Sequence, residues 1–271
     1  MARVYCGTSG WTYPPWRGEF YPKGLPHRDE LRYMATRVSS VEINGSFYAL
    51  QRPSSYLTWR DQTPDDFVFA LKAPRYITHM KRLRDARIPL ANFFASGPLA
   101  LGHKLGPILW QLPPNFRFVP SVFEEFFAQL PRSTGEAAYL GRLHEERLKD
   151  RVHLTTDDDR PIRHALEVRH ESFVTPDFAA LLREHHVAVV AADTAGKWPN
   201  IREITTDFAY ARLHGDAELY TSGYTDAALD QWAATARSWI DRGIDVHVYF
   251  DNDVKVRAPV DAMALERRLQ A

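Results

Sequence analysis

The sequence predicts a single α/β domain folded as a (β/α)8 barrel of the TIM type. The 271 residues are a normal length for such a barrel folded as one unit. Short runs rich in Val, Ile, Phe and Tyr recur along the chain and alternate with longer segments that show helical spacing of apolar residues. This alternation favours parallel strand pairing, and eight such units can close a barrel. One domain over residues 1–271 is therefore expected.

The predicted strands are eight apolar runs in chain order. They cover residues 4–7, 41–44, 67–72, 108–112, 165–168, 187–193, 209–213 and 246–250. A doubly wound sheet is the alternative, but it more often has roughly five to seven strands and a Gly-rich first turn. The segment 7–10 is too short a match to that turn. Strand number therefore favours the barrel.

The segments between the strands have the three- and four-residue apolar spacing of amphipathic helices. Two examples are Phe123, Phe126, Phe127 and Leu130, and Leu229, Trp232, Ala236, Trp239 and Ile240. The least regular part is 133–163, where a helix-like stretch at 136–151 precedes the acidic run 157–159. We expect a solvated helical excursion between the fourth and fifth strands, within the same domain.

Composition narrows the function classes. Lys and Arg together number 34, and so do Asp and Glu, so the formal net charge is zero. A net positive charge that would attract the chain to nucleic acid or to an anionic membrane is therefore absent. Any anion binding must be local. Cys6 is the single cysteine, which predicts a reducing, cytoplasmic setting and a buried, unreactive thiol. No apolar stretch of about 18 residues occurs, so neither an export signal nor a membrane span is expected.

Polar residues stand at the end of every predicted strand, where barrels build their active sites. The candidates are Trp11, Glu42, Asn44, Lys72, Gln111, Glu167, Arg169, Asp193, Arg212, His214 and Asn252. Three i, i+2 pairs among them place two polar groups on one face of a strand: Glu42 with Asn44, Glu167 with Arg169, and Arg212 with His214. Unpaired charge under the helical layer is costly, so these pairs are expected to point inward. We expect Glu42, Lys72, Glu167, Asp193, Arg212 and His214 to surround one cavity.

The first functional hypothesis is an enzyme acting on a small anionic or polyhydroxylated substrate, as a hydrolase or as an isomerase or lyase. Glu42 or Glu167 is the candidate general acid or base, and His214 is the candidate proton-transfer group. The anion ligands would be Lys72, Arg169 and Arg212. The remaining candidates, Trp11, Asn44, Gln111, Asp193 and Asn252, are assigned to substrate binding. The oligomeric state stays open.

Three alternatives remain. The carboxylates Glu42, Glu167 and Asp193 with His214 suit a divalent ion such as Mg, Mn or Zn, although no local metal-binding spacing supports this. The same cations can contact nucleic-acid phosphates, as in a metal-dependent nuclease. A non-catalytic metabolite-binding scaffold is the third alternative, because strand ends are often polar and Glu167 can simply neutralise Arg169.

Several motifs resemble the YecE-like proteins, known as domain of unknown function 72, over almost the whole chain. They are 7–11 (GTSGW), 20–22 (FYP), 41–44 (VEIN) with 47–48 (FY), 69–72 (FALK), 77–79 (ITH), 104–107 (KLGP) through 111–114 (QLPP), 167–170 (EVRH), 212–215 (RLHG) and 249–252 (YFDN). The resemblance implies a (β/α)8 barrel and carries over no reaction, cofactor or substrate. Barrels of similar outline include metal-dependent endonucleases and sugar isomerases, which is an analogy of fold and not of function.

Overall fold

Eight parallel strands form a closed barrel in chain order in the computed structural model, which describes residues 2–270. The strands are β1 (Val4–Ser9), β2 (Ser40–Ile43), β3 (Val68–Lys72), β4 (Leu105–Gln111), β5 (His164–Glu167), β6 (Val187–Asp193), β7 (Phe208–Leu213) and β8 (Asp245–Phe250). Each predicted run overlaps one of them, so the (β/α)8 prediction is confirmed.

One boundary differs noticeably from the prediction, because β4 begins three residues before the apolar run at 108–112. Gly106 and Pro107 obscure this start in the sequence. A Cβ atom on Gly106 would lie 2.5 Å from Cγ1 of Val68. Glycine is therefore required here by the close approach of β3, and it does not end the strand.

The helices that surround the barrel are α1 (Glu30–Met34), α2 (Gly45–Tyr48), α3 (Pro53–Asp61), α4 (Arg87–Ala95), α5 (Pro120–Phe127), α6 (Thr134–Gly141), α7 (Pro176–Glu184), α8 (Asp226–Ile240) and α9 (Arg257–Gln270). Side chains cap three of them at the N-terminus: Ser133, Thr175 and Thr225 each accept a backbone N–H bond at the start of α6, α7 and α8. The predicted apolar faces of α5 and α8 are buried against the strands.

The segment 133–163 is helical over a shorter stretch than the sequence predicts. Helix α6 ends at Gly141, a single short 3₁₀ turn follows at Glu146–Leu148, and the chain is then irregular until β5. Asn92 of α4 donates to Oε2 of Glu145 at 2.6 Å and accepts from its backbone N–H at 2.9 Å. These bonds hold the segment against α4, and they replace the helical bonds that a continuous helix would make.

Side chains alternate along each strand between the barrel interior and the helical layer. The interior is filled by small and aromatic residues, namely Ala70, Leu109, Ala165, Ala188, Val190, Ala192, Phe208, Tyr210 and Tyr249. Cys6 faces outward, where its fully buried thiol lies 3.4 Å from the Ala262 carbonyl oxygen of α9. Its predicted burial is confirmed, and its low reactivity stays a prediction. Between residues 2 and 270, no helix has the length and apolar character needed to cross a membrane.

Candidate functional site

The carboxyl ends of the strands bring polar side chains together at one end of the barrel. Ser9 of β1, Glu42 of β2, Glu167 of β5 and Arg212 of β7 occupy interior positions at these ends, and Asp251 follows β8. All four strand residues are buried. The two-residue period of the strands and the closure of the barrel therefore place this polar cluster directly above the aromatic interior.

Arg212 is the centre of this cluster, and its side chain has no solvent exposure. Its Nε and Nη2 atoms donate to the two carboxylate oxygens of Glu42 at 3.1 and 2.9 Å. Nη1 donates to Glu167 Oε2 at 2.7 Å, and Nη2 also reaches Asp251 Oδ2 at 3.0 Å and Ser9 Oγ at 2.7 Å. Every nitrogen of the guanidinium is thus occupied by protein acceptors. We call Glu42, Glu167, Arg212 and Asp251 the buried ion network.

Neighbouring groups complete the hydrogen bonding of the carboxylates. The Tyr210 hydroxyl donates to Glu42 Oε2 at 2.6 Å, and the Ser9 hydroxyl donates to Glu42 Oε1. Arg169 donates through Nε to Glu167 Oε1 at 2.8 Å. The Nδ1 atom of His214 lies 3.0 Å from Oδ2 of Asp251, close enough for an ion pair but without hydrogen-bond geometry. A buried charge is tolerated when it is paired and hydrogen-bonded in this way.

The network fixes the protonation states of its acids. Burial by itself raises the pKa of Glu167, but the charges of Arg169 and Arg212 hold that pKa well below its usual range. Burial likewise raises the pKa of Asp251, and Arg212 and His214 outweigh it, so the pKa of this carboxyl is also lowered. Both groups are therefore ionised at neutral pH, and neither is poised to transfer a proton.

A cavity of about 870 Å³ opens above the network at the barrel mouth. Its polar lining includes Asn44, Lys72, His79, Gln111, Arg169, Tyr220, Asp251 and Asp253, and its aromatic lining includes Trp11, Tyr13, Phe47, Tyr48 and Trp59. The rings of Trp11 and Trp59 pack edge to face with centroids 5.4 Å apart. The volume and the mixed lining are typical of a small-molecule site.

Lys72 differs from Arg169 and Arg212, which both pair with Glu167, because its ammonium group contacts an aromatic ring and not a carboxylate. Its Nζ atom lies 4.4 Å from the centroid of the Phe47 ring. Within residues 2–270, no carboxylate lies within 4.0 Å of this atom and no group hydrogen-bonds to it. Burial lowers the pKa of Lys72 to about 8, and the positive charge of Arg212 acts in the same direction. Both its ammonium and its amine forms are accessible near neutral pH.

Two further groups of the cavity wall have shifted pKa values. Burial lowers the pKa of His79 to about 4, helped by the charges of Lys72 and Arg169, so this imidazole is neutral at pH 7. Burial and the charge of Asp251 raise the pKa of Asp253 to about 6. Arg169 stacks on the Trp198 ring with its guanidinium carbon 3.9 Å from the ring centroid. This stacking holds the Arg169 side chain, the second cation of the cavity wall after Lys72, in place.

The predicted site residues separate into three groups. Trp11, Asn44, Lys72, Gln111 and Arg169 line the cavity, as expected for substrate contacts. Glu42, Glu167, Arg212 and His214 converge below it and are fully buried, outside the cavity lining. The assignments of Arg212 as an anion ligand and of Glu42, Glu167 or His214 as catalytic groups stay predictions.

Asp193 and Asn252 form the third group, because they point away from the cavity. Ala188, Val190 and Ala192 fill interior positions of β6, so Asp193 faces the helices, where it accepts a 3.0 Å hydrogen bond from Trp232 Nε1 of α8. The expectation that Asp193 shares the cavity is wrong for this reason.

Asn252 lies on the outer face of the chain after β8. Its Nδ2 atom donates to Asp261 Oδ2 of α9 at 2.8 Å and to the Ser222 carbonyl oxygen at 2.9 Å. It therefore ties two loops together and does not face a ligand. The neighbouring Asp251 takes the interior position that the sequence analysis assigned to Asn252.

Some of the missed residues had a signal in the sequence. His247, Tyr249 and Asp251 alternate with apolar residues along β8, and this period already places Asp251 on the interior face. Tyr210 precedes Arg212 by two residues and shares its face. His79 had no such signal, because it lies in a turn of helix, Tyr76–Met80, that follows β3.

The predicted metal ligands do not assemble. The guanidinium of Arg212 lies between Glu42 and Glu167 and donates hydrogen bonds to both, and Asp193 faces the helical layer. In the described part of the chain, no group of three or more His, Cys, Asp or Glu side chains is arranged to hold a metal ion. Glu42, Glu167 and Asp251 are thus bonded to the internal cation Arg212.

Comparisons with known proteins give the relationship of this chain. The profile of the family described as protein of unknown function DUF72 matches residues 5–271. The YecE protein of Escherichia coli K12 is 33% identical over 130 residues, and YunF of Bacillus subtilis is 28% identical over 118 residues. These matches cover 47% and 42% of this chain, and 44% and 41% of the relatives, so the aligned part is less than half the length of those curated relatives.

Solved structures cover the chain more completely. A DUF72 family protein from Thermotoga maritima superposes with a TM-score of 0.77 at 26% identity, over 99% of this chain and 100% of that one. A DUF72 family protein from Enterococcus faecalis has a TM-score of 0.73 at 17% identity, over 100% and 96% of the two chains, which shows the shared fold. With the profile match over residues 5–271, these comparisons show that the chain belongs to the DUF72 family.

Proposed function

We propose that the protein is an enzyme that acts on a small anionic substrate bound in the cavity at the barrel mouth. The observation that carries this proposal is Lys72, whose side chain is largely buried, lines the cavity and has no carboxylate within 4.0 Å among residues 2–270. Keeping a largely buried cation without a direct ion-pair partner costs free energy, and an anionic ligand offsets that cost. Lys72 therefore marks the position of the substrate's negative charge.

Arg169 supplies the second cation. Its Nε and Nη2 atoms are held by Glu167, and its stacking on Trp198 fixes the plane of the guanidinium at the cavity wall. Asn44 and Gln111 add neutral hydrogen-bonding groups, and Trp11 and Tyr13 add aromatic surface that suits a ring or a polyhydroxylated chain. These five residues give the site both charge and shape selectivity.

The cavity wall also holds groups that can move protons. The pKa of Lys72 is about 8 and that of Asp253 is about 6, so the two values lie on either side of neutral pH. General acid and base catalysis is most efficient when the pKa of the group is close to the working pH. Glu167 and Asp251 do not meet this condition, because the neighbouring cations keep both ionised.

The proposal is tested by following the melting temperature while inorganic phosphate or glycerol 3-phosphate is titrated at fixed ionic strength. The wild type should be stabilised, by about 2–4 °C for each kcal/mol of binding free energy. Lys72→Met should lose this response. The matched control is Lys23→Met, because Lys23 is exposed and lies outside the cavity lining.

Two results would contradict the proposal: an equal response in the wild type and Lys72→Met, or no response in either protein. A single-stranded oligonucleotide that stabilises both proteins where the small anions do not would favour the nuclease hypothesis instead. A ligand that binds in the cavity with no turnover of any kind would favour the metabolite-binding scaffold.

A further inference from the structure

The side chain of Lys72 is held in one place by the elements around it. The Ser46 hydroxyl donates to the Lys72 carbonyl oxygen at 2.7 Å and lies 3.0 Å from the carbonyl oxygen of Ile43. These contacts fix the start of α2 against the ends of β2 and β3. Phe47 of α2 then presents its ring to the Lys72 ammonium. The amine nitrogen is therefore preorganised at the inner end of the cavity.

The charged groups that face Lys72 come from four other strands or strand ends. They are Arg212, Asp251, Glu42 and Glu167, and the nearby wall adds Arg169 and His79. The three carboxylates among them already bond to Arg212. None is therefore free to hold the Lys72 proton, unlike the carboxylate of an ordinary lysine ion pair.

A lysine whose only role is to neutralise carboxylates lies within ion-pair distance of one, and Lys72 does not. A lysine that only attracts anions works best when it is fully protonated, which burial and the nearby charge of Arg212 oppose. The arrangement instead suits an amine that gives up its proton and reacts.

We propose that Lys72 is a nucleophile that forms an imine with a carbonyl substrate carrying a carboxylate or phosphate group, which Arg169 holds. This inference rests on the proposed function, because it places the same anionic substrate in the same cavity, and it adds the substrate class, an oxo acid or a phosphorylated aldehyde or ketone.

The chemistry balances without an oxidant or a cofactor. Lys72 first loses a proton to solvent in the open cavity, and its nitrogen lone pair then forms a bond to the carbonyl carbon. A proton then passes from the nitrogen to the former carbonyl oxygen and gives the neutral carbinolamine. Asp253 donates a proton to the hydroxyl, the C–O bond breaks and water leaves, while the nitrogen lone pair forms the C=N bond. The protonated imine returns its remaining nitrogen proton to the Asp253 carboxylate. Hydrolysis of the imine reverses each step and regenerates the amine.

The test uses pyridoxal 5′-phosphate, an aldehyde with a phosphate group, followed by borohydride reduction and mass mapping of the intact folded protein. Pyruvate serves as a second, smaller probe. At pH 7 we expect one reduced adduct per chain, located on Lys72. Its rate of formation should rise through pH values of about 8, whereas exposed lysines should require a pH nearer about 10.

Two variants separate this inference from the proposed function. Lys72→Arg keeps the cation and cannot form an imine, so it should retain stabilisation by phosphate and lose the adduct. Arg169→Met should reduce the rate of adduct formation at least tenfold at subsaturating probe. Lys23→Met, altered at an exposed position, should label like the wild type.

Adducts spread over surface lysines, or unchanged labelling in Lys72→Arg, would overturn the inference. A wild type that binds phosphate but gives no Lys72 adduct with either probe would overturn the imine and leave the anion site standing. Loss of phosphate binding in the wild type itself would instead overturn the proposed function.

Discussion

The buried ion network and the cavity wall directly above it use the same kinds of residue in opposite ways. In the network, the guanidinium of Arg212 is bonded to three carboxylates, and each of its nitrogens donates to a protein acceptor. In the wall, Lys72 is largely buried and has no carboxylate within 4.0 Å among the described residues. The first region stabilises the barrel mouth, and the second presents an ammonium group to the cavity.

Burial and charge alone therefore do not identify a functional residue. Arg212 is the more deeply buried and the more strongly bonded cation, and it was an attractive anion ligand from its position at the end of β7. Its donors are all used by the protein, so it acts as a support for Glu42 and Glu167. The group that remains unsatisfied, Lys72, is the better indicator of function.

The largest expected effect comes from breaking the network with Arg212→Met. Removing one partner leaves the buried carboxylates of Glu42 and Glu167 without their cation, which should lower the free energy of unfolding by about 3–5 kcal/mol. Urea unfolding measures this change. Tyr210→Phe, which removes only the hydroxyl bonded to Glu42 at 2.6 Å, should cost about 1–3 kcal/mol and remain folded.

Arg183→Met is the matched control for Arg212→Met. Arg183 pairs with Glu203 at 2.6 Å, but both side chains are about half exposed, at 52% and 51%. Such surface pairs contribute about 0–1 kcal/mol. Similar losses in the two arginine variants would contradict the distinction between a buried network and an ordinary surface pair.

Acid should weaken the network by a smaller amount. The folded-state pKa values of Glu167 and Asp251 are lowered, so the unfolded chain binds their protons more tightly than the folded protein does. Their stabilising contribution is present above the ordinary carboxyl pKa of about 4 and is lost as the pH falls from there through the lower folded-state values. Unfolding free energies measured from pH 7 to pH 3 should show this decline.

Asp253 has the opposite effect on the free energy of unfolding, and it acts at higher pH. Its pKa is raised to about 6, so the folded protein gains its proton before the unfolded chain does, and this group favours folding as the pH falls from about 6 to about 4. The loss of unfolding free energy that is due to the network should therefore be measured below about pH 4. A slope there that Arg212→Met leaves unchanged would show that Arg212 does not set the pKa values of Glu167 and Asp251.

A substitution in the cavity wall should have a smaller effect and should stabilise the protein. The pKa of Lys72 is lowered to about 8, so at pH 7 the protonated side chain disfavours the folded state. Lys72→Met should raise the free energy of unfolding by about 1–3 kcal/mol at pH 7. The gain should shrink as the pH rises from about 8 towards about 10, where the wild-type lysine is neutral in both states. A loss of stability in Lys72→Met would indicate a structural role for Lys72.

The sequence by itself determined the barrel and much of its inward face. Apolar runs with helical segments between them are local patterns, and eight of them were enough to predict the closed parallel sheet. The i, i+2 pairs correctly placed Glu42, Glu167 and Arg212 inside, because the two-residue period of a strand is also local. Strand β6 is apolar at every position before Asp193, so its sequence has no alternation of polar and apolar residues to show which side chains face inward. The prediction that Asp193 faces inward was therefore wrong.

Which charged side chains pair with one another depends on the tertiary structure. Glu42 and Arg212 are 170 residues apart, and Glu167 reaches the same guanidinium across 45 residues. Their contact depends on the register of every strand and on the closure of the barrel, which no local spacing encodes. Among residues 2–270, closure also placed no carboxylate within 4.0 Å of the Lys72 ammonium group. Electrostatic pairing depends on distances across the barrel and not on position along a strand. The absence of an ion pair at Lys72 could therefore be recognised only from the tertiary structure.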